Sequence, residues 1–154
     1  MNGDIYNKAQ VILDKKIEEK GLRKTQERYR ILREIYNRED HFEIEELYND
    51  IMAQKFNISK ATVYNVVELL VEVGLVTKHQ FGLKHASRYE KSFGRKQHSH
   101  LICINCNKVF EFCDPRIQNI QHTLEEFSGL EIKDHSLILY GQCNKSNCIK
   151  TNIY

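Results

Sequence analysis

The sequence predicts an α+β protein in two parts, a winged helix-turn-helix domain followed by a small α/β domain organised by cysteines. Two observations predict this fold: helical segments and then a short hairpin fill the first part, and paired cysteines mark the second. A second part of about 60 residues buries too little apolar surface to fold unaided, so a metal ion or a dimer interface should stabilise it. We place the domains at residues 1–90 and 100–154, with a hinge at 91–99.

Composition and charge narrow the class of protein. Hydrophobic residues make up 41% and charged residues 29%, as in ordinary globular proteins. Residues 1–20 lack the pattern of a secretion signal, and we find no run of about 20 apolar residues, so we expect a cytoplasmic protein. In that reducing compartment the five cysteines are metal ligands or free thiols. The net charge is only +2, but basic stretches at 20–33 and 78–96 can bind phosphates or be solvated surface.

Four helices and a hairpin are predicted in the first part. Residues 7–20 form the first helix, Thr25 caps the second, and the third runs from about Glu43 to Lys55. Ser59 caps the fourth, SKATVYNVVELLVEVG, which Gly74 ends. The runs 75–79 and 86–90 then flank a loop that contains Gly82, and this order of elements is that of a winged helix.

The fourth helix has two distinct faces. Its inward stripe is Val63, Val66, Val67, Leu70 and Val73, and its outward positions are Ala61, Tyr64, Asn65 and Glu68. A tyrosine ring can pack on a thymine methyl, and an asparagine can pair with adenine. An exposed Tyr–Asn pair is also common on ordinary surfaces, but its place in a winged helix favours contact with DNA.

Cysteine spacing organises the second part. The pairs Cys103–Cys106 and Cys143–Cys148 offer four thiolates, enough for a closed tetrahedral zinc site. The first pair closes a knuckle between two strands, residues 115–128 form a helix with Pro115 in its first turn, and residues 130–141 form a long strand that leads to the second pair. Cys113 is left over and is expected to be a free thiol.

A second group of metal ligands is indicated by histidines and glutamates. His98 and His100 alternate along a strand, so both side chains lie on one face. Glu90, Glu111 and His41 complete a set of nitrogen and oxygen donors that suits Fe²⁺, Mn²⁺ or Zn²⁺. Each residue alone is commonly an ordinary surface residue, whereas the group would connect the two parts through one ion.

Several stretches together resemble the ferric uptake regulator superfamily over roughly residues 20–148: GLRKTQERYRIL, HFEIEELY, ISKATVYNVVELLVEVGLVTKH, HSHLICINCNKVFEF and DHSLILYGQCNKSNC. The resemblance implies a homodimeric repressor whose second domain serves dimerisation. It also implies binding to AT-rich palindromic operators on double-stranded DNA when a metal corepressor occupies a sensor site.

The resemblance assigns residues to these sites. Its structural zinc ligands match Cys103, Cys106, Cys143 and Cys148, and its regulatory ligands match His41, Glu90, His98, His100 and Glu111. The predicted DNA-contacting residues are Arg28, Ser59, Lys60, Ala61, Thr62, Tyr64 and Asn65. An additional metal site of the family is predicted to be lost. His135 remains there, but the other positions carry Gln97, Ser99 and Gln118.

Two features of the sequence indicate different types of regulator within this superfamily. Asn65 resembles peroxide-sensing members, whereas Glu90 and Glu111 resemble iron regulators, because peroxide sensors carry aspartates there. We predict an iron-responsive repressor that is not an enzyme, with peroxide-responsive and zinc-responsive regulators as alternatives. A zinc hydrolase is disfavoured by the lack of a His-Glu-x-x-His motif. A metal-storage module is a further alternative, and it would differ from a regulator because it would not bind a palindromic DNA duplex.

Overall fold

The computed structural model describes residues 2–80, 87–106 and 108–143, and the structural statements below concern these residues. They divide into two compact units, an N-terminal unit that ends at Arg95 and a C-terminal unit that begins at Lys96. Residue Gly82 of the predicted loop and the predicted ligand Cys148 lie outside the described residues.

Four helices build the N-terminal unit: α1 Asn2–Glu19, α2 Gln26–Tyr36, α3 Ile44–Ala53 and α4 Lys60–Glu72. Helix α1 begins at Asn2, five residues before the predicted start at residue 7. Asp4 lies in its first turn and pairs with Lys8 at 2.8 Å. An acidic residue near a helix N-terminus and an i,i+4 ion pair each favour helix by a few tenths of a kcal/mol. These local effects extend the helix beyond its apolar pattern.

The helix ends follow the predicted capping residues. Thr25 occupies the N-cap position of α2, although its side chain makes no capping hydrogen bond. The Ser59 hydroxyl accepts a hydrogen bond from the Thr62 backbone N–H at 3.0 Å. Gly74 follows α4 with φ +71°, a conformation in which glycine avoids the steric cost of a side chain. The boundaries of α4 are therefore encoded locally.

One hydrophobic core joins the four helices. Its fully buried side chains include Leu13, Ile17, Ile31, Leu32, Ile35, Leu47, Ile51, Val63, Val67 and Leu70. The predicted inward stripe of α4 is confirmed at Val66 as well, while Val73 is only half-buried and Leu69 is buried in addition. The residues at the opposite face of α4 remain exposed, so this helix is held by its valines and leucines and presents its polar side.

A two-stranded hairpin follows α4. Strands β1 Val76–His79 and β2 Arg88–Lys91 pair antiparallel, with Val76 opposite Lys91. Phe42 and Tyr89 exchange backbone hydrogen bonds of 2.9 and 2.8 Å, and their rings stack at 5.9 Å. This bridge attaches the segment between α2 and α3 to the hairpin. Helices followed by this hairpin confirm the winged helix-turn-helix class.

The C-terminal unit is a three-stranded sheet with one helix. Strands β3 Ser99–Cys103, β4 Val109–Phe112 and β5 Ile138–Gly141 lie in the order β4-β3-β5, with helix α5 Pro115–Ser128 between β4 and β5 in the chain. The β3–β4 pair is antiparallel and the β3–β5 pair is parallel. Asp114 caps α5 by accepting from the Arg116 backbone N–H at 2.9 Å. The predicted α+β class is confirmed.

The long strand predicted over residues 130–141 is wrong in its length. Only Ile138–Gly141 is strand, and it pairs with β3 from His100 onward. Before it, the Ile132 backbone N–H donates to the Glu125 carboxylate at 2.8 Å, and the His135 N–H donates to the Asp134 side chain at 2.8 Å. Side-chain acceptors thus replace the backbone ladder that a longer strand would need.

None of the described helices has the length and apolar run required to cross a membrane.

A core substitution in α4 tests this packing. Leu70 is fully buried, so Leu70→Ala should lower the free energy of unfolding by about 2–5 kcal/mol, measured by urea denaturation. Val11 on α1 is 67% exposed, and Val11→Ala should change it by less than about 0.5 kcal/mol. Equal effects of the two substitutions would contradict the assignment of the core.

Candidate metal centres and DNA-binding surface

Three thiols converge in the C-terminal unit. Cys103 ends β3, Cys106 lies in the turn after it, and Cys143 follows β5, and their sulfur atoms all lie within 4.8 Å of one another. The sheet register explains this proximity, because Cys103 lies opposite Gly141 in the parallel pair. Pairing of β3 with β5 therefore carries Cys143 to the first two cysteines.

The local electrostatics favour a thiolate. The backbone N–H groups of Cys106 and Asn105 donate to the Cys103 sulfur and lower the pKa of that thiol to about 6, with the larger effect from Cys106. Because zinc binds the thiolate form, three converging thiols with one of low pKa fit a zinc ion. Cys103, Cys106 and Cys143 would hold it, and the ion would supply folding free energy to a unit with a small core. Cys148 stays the predicted fourth ligand.

Cys113 does not belong to this cluster. It is exposed, and its sulfur donates to the Gln97 carbonyl at 3.8 Å. It therefore serves as an internal reference cysteine for tests of the cluster.

A buried carboxylate organises a second centre in the N-terminal unit. Glu90 Oε1 lies 2.6 Å from His79 Nε2 and 3.6 Å from His41 Nε2, while Glu90 Oε2 accepts from Arg95 Nη1 at 2.9 Å. One ligand atom from each of His41, His79 and Glu90 lies within 4.8 Å of the others. Two imidazoles and a carboxylate thus meet inside this unit.

His79 is not among the ligands predicted from the sequence. The hairpin register contains the signal that finds it, since Thr77 lies opposite Glu90 and side chains two residues apart share a face of a strand. His79 is therefore a diagonal neighbour of Glu90. The register follows from the pairing across a loop and not from local spacing, so the sequence alone does not supply it.

The C-terminal unit gathers the other predicted regulatory ligands. The His98 and His100 rings lie 4.9 Å apart, and His98 Nε2 is 3.7 Å from Glu111 Oε2. His98 Nδ1 lies 3.0 Å from the Lys96 carbonyl. A carbonyl only accepts, so Nδ1 carries the proton, and in a neutral ring Nε2 is the nitrogen whose lone pair can bind a metal ion. Each unit accordingly contains a cluster of two imidazoles and one carboxylate.

The positions of the additional family site line a cavity of about 530 Å³ within the C-terminal unit. Gln97 Nε2 donates there to the His135 carbonyl at 2.8 Å, and the Gln121 amide lies 2.7 Å from His135 Nδ1. Gln118 and Ser99 also line it. Gln97 and Gln121 thus both contact His135. The loss of the additional metal site stays a prediction.

Helix α4 presents most of the predicted DNA-contacting residues. Tyr64 is 44% exposed, and Ala61 and Asn65 are exposed beside it. Lys60 forms an ion pair with Glu45. Ser59 and Thr62 hydroxyls lie 2.7 Å apart at the helix start, so these two residues also have a capping role. The arrangement leaves an aromatic ring and an amide accessible.

Arg28 lies beside this surface. A groove of about 870 Å³ is lined by Arg28, Thr62 and Asn65, among others. The Arg28 guanidinium donates to the Arg23 carbonyl, which holds it near the start of α2. A basic residue at the edge of an exposed helix face is suited to a phosphate contact.

A winged helix with an exposed polar helix face, a thiol cluster and separate imidazole–carboxylate groups defines the class of metal-responsive transcriptional regulators. Residues 19–140 match the sequence model of the Ferric uptake regulator family, and the chain belongs to this family. The predicted resemblance is confirmed. Members of the family are DNA-binding dimeric transcription factors and not enzymes, so a regulator is supported over a hydrolase or a storage module.

Individual relatives agree with this placement. The chain is 38% identical over 132 residues to the ferric uptake regulation protein of Haemophilus ducreyi, a match that covers 83% of this chain and 87% of the relative. The structure is similar to the Vibrio cholerae ferric uptake regulator, with a TM-score of 0.68, 33% identity and coverage of 84% and 98% of the two chains. It is also similar to the Pseudomonas aeruginosa regulator with manganese, with a TM-score of 0.74, 28% identity and coverage of 86% and 98%.

Replacement of single cysteines tests the thiol cluster. Cys106→Ser should remove most of the bound zinc after exposure to a chelator and lower the melting temperature, because one thiolate ligand is lost. Cys113→Ser should retain the zinc content of the unaltered protein. Elemental analysis after gel filtration measures both, and equal zinc retention in the two variants would contradict the assignment.

Proposed function

We propose that the protein is an iron-responsive transcriptional repressor in which a divalent cation held by both units promotes operator binding. The cation ligands are His41, Glu90, His98, His100 and Glu111. The observation that carries this proposal is that each unit by itself already gathers nitrogen and oxygen donors, around Glu90 in one and around Glu111 in the other.

The donor types separate this site from the thiol cluster. Imidazole and carboxylate ligands bind Fe²⁺, Mn²⁺ and Zn²⁺ with exchangeable affinity, whereas a thiolate cage holds zinc permanently. Iron is favoured because the relatives are ferric uptake regulation proteins and because both carboxylates are glutamates. Asn65, exposed on α4, supports a peroxide-responsive regulator as the second candidate.

Because the ligands lie on two units, binding of the ion would favour one arrangement of these units over others. The bound ion supplies attraction to donors of both units, so the arrangement that satisfies all five ligands is favoured. To change the ratio of the favoured to the other arrangement from 1:99 to 99:1, the ion must bind the favoured arrangement more tightly by about 5.5 kcal/mol. The favoured arrangement places two copies of α4 for successive major grooves of a palindromic site.

The exposed residues of α4 support an AT-rich operator. Tyr64 can contact thymine methyl groups and Asn65 can pair with adenine, while Arg28 lies where it can contact a phosphate. Lys60 must exchange its ion pair with Glu45 for a phosphate. Sequence readout therefore comes from two uncharged side chains, and the cations add affinity that depends on salt.

The apolar surface of the C-terminal unit supports a homodimer. Helix α5 has no buried side chain within the described chain. Its exposed apolar residues include Ile120 at 58%, Leu124 at 51% and Phe127 at 90% exposure, and Leu130 after the helix is 70% exposed. A patch of this kind on a small domain is covered by a partner, here a second copy. We propose a cytoplasmic location for this dimer.

The regulatory site is tested by a His98→Ala, His100→Ala double variant. Loss of two imidazoles should lower metal-dependent operator affinity by at least about 100-fold, measured by fluorescence anisotropy with Fe²⁺ under anaerobic conditions. Parallel titrations with Mn²⁺ and Zn²⁺ identify the effective ion. The control is His122→Ala, because His122 is 73% exposed and pairs with Glu126 on α5. Unchanged metal-dependent affinity of the double variant would refute the site.

A charge on the apolar surface tests the dimer. Phe127→Asp should raise the dimer dissociation constant by at least about 100-fold, because the interface would lose a phenyl ring and bury a carboxylate. Asn119→Asp places the same charge on an exposed position away from the apolar face and should leave the dimer intact. Sedimentation velocity measures both, and a dimeric Phe127→Asp variant would rule out this surface.

A further inference from the structure

Three metal-ligating side chains converge within the N-terminal unit alone. The rings of His41 and His79 lie 5.5 Å apart at 62°, and the Nε2 atom of each approaches the same oxygen, Glu90 Oε1. The three side chains are 6%, 12% and 5% exposed. Two imidazole nitrogens with little solvent exposure therefore face the same buried carboxylate oxygen.

We propose that His79 is a further ligand of the regulatory cation, so that the DNA-binding unit captures Fe²⁺ or Mn²⁺ with two histidines and one glutamate before the C-terminal unit contributes. This inference rests on the proposed function and adds a residue that the family resemblance did not assign. Two histidines and one carboxylate are a donor set that binds Fe²⁺ and leaves other coordination positions open.

The distances fit a shared ion. Ligand atoms about 2.1 Å from one ion, at angles of 90–110°, lie about 3.0–3.4 Å from each other. The separations from Glu90 Oε1 are 2.6 Å to His79 Nε2 and 3.6 Å to His41 Nε2. Both lie near that range, so small side-chain rotations would place the three atoms around a cation.

The backbone holds these ligands in place. His79 ends β1 and Glu90 lies on β2, and the hairpin pairing fixes their diagonal contact. His41 precedes Phe42, whose backbone is tied to β2 through the two hydrogen bonds to Tyr89. Ligands on paired strands lose little conformational freedom on binding, so the set is preorganised.

Arg95 defines how Glu90 binds. Its guanidinium Nη1 donates to Oε2 at 2.9 Å, whereas both imidazoles face Oε1. Glu90 would therefore offer Oε1 to a cation while Oε2 stays paired with Arg95. A buried histidine that only satisfies Glu90 is the simpler role for His79, but Arg95 already neutralises this carboxylate. The convergence of a second imidazole on the same oxygen favours a cation site.

The test uses the full-length, reduced and zinc-loaded protein with Mn²⁺ as probe. His79→Asn should weaken Mn²⁺ binding by at least about 10-fold, measured by titration calorimetry. Pulsed electron paramagnetic resonance of the bound Mn²⁺ should show one fewer coordinated imidazole nitrogen than in the unaltered protein. The matched control is His122→Asn, at a histidine that is 73% exposed on α5.

A second pair of variants separates the inference from the proposed function. In the His98→Ala, His100→Ala background, weak Mn²⁺ binding should persist, and addition of His79→Asn should abolish it. Unchanged affinity in the His98→Ala, His100→Ala variant would refute the proposed regulatory site itself. If that variant is weakened while His79→Asn alone binds normally, only the role of His79 is refuted.

A structural role for His79 has a distinct outcome. His79→Asn would then lower the melting temperature of the N-terminal unit and weaken Mn²⁺ binding without any change in the number of coordinated nitrogens. The unchanged nitrogen count would overturn the proposal, and the melting curve shows that the variant is folded under the titration conditions.

Discussion

A single buried charge constrains the arrangement of the N-terminal unit. Glu90 is 4% exposed, and a carboxylate in such a place is costly unless hydrogen bonds and opposite charge compensate it. Arg95 takes one carboxylate oxygen and the imidazoles of His79 and His41 face the other. These partners come from the chain after β2, the end of β1 and the segment before α3. The carboxylate thus holds three separate segments around the hairpin.

The same hairpin is attached to α4, the helix with most of the predicted DNA-contacting residues. Glu68 on the outer side of α4 accepts from Lys78 Nζ at 3.0 Å and from the Tyr89 hydroxyl at 3.4 Å. Tyr89 also stacks on Phe42 in the core. Because close-packed interiors transmit strain, these contacts couple Glu90 and its neighbours to α4. The candidate metal ligands of this unit are thus linked through packed side chains to the helix that carries Tyr64.

The two candidate metal centres differ in their donor chemistry. The three clustered sulfurs near the ends of β3 and β5 are soft donors, and a zinc ion held by them would add its binding free energy to the folding free energy of a small unit. The nitrogen and oxygen donors are weaker and harder, which suits an ion whose occupancy must follow its concentration. The two sets of donors therefore differ in how tightly each would hold its ion.

Local chemistry in the sequence determined the helices, their caps and the cysteine pairs. Helix period, the Ser59 cap and the Cys103–Cys106 spacing each act within a few residues, so they are readable without a partner strand. The tertiary structure alone decided the short length of β5 and the contact of His79 with Glu90. Both depend on the register of strands joined through intervening chain, and that register is set by which backbone groups find partners across the sheet.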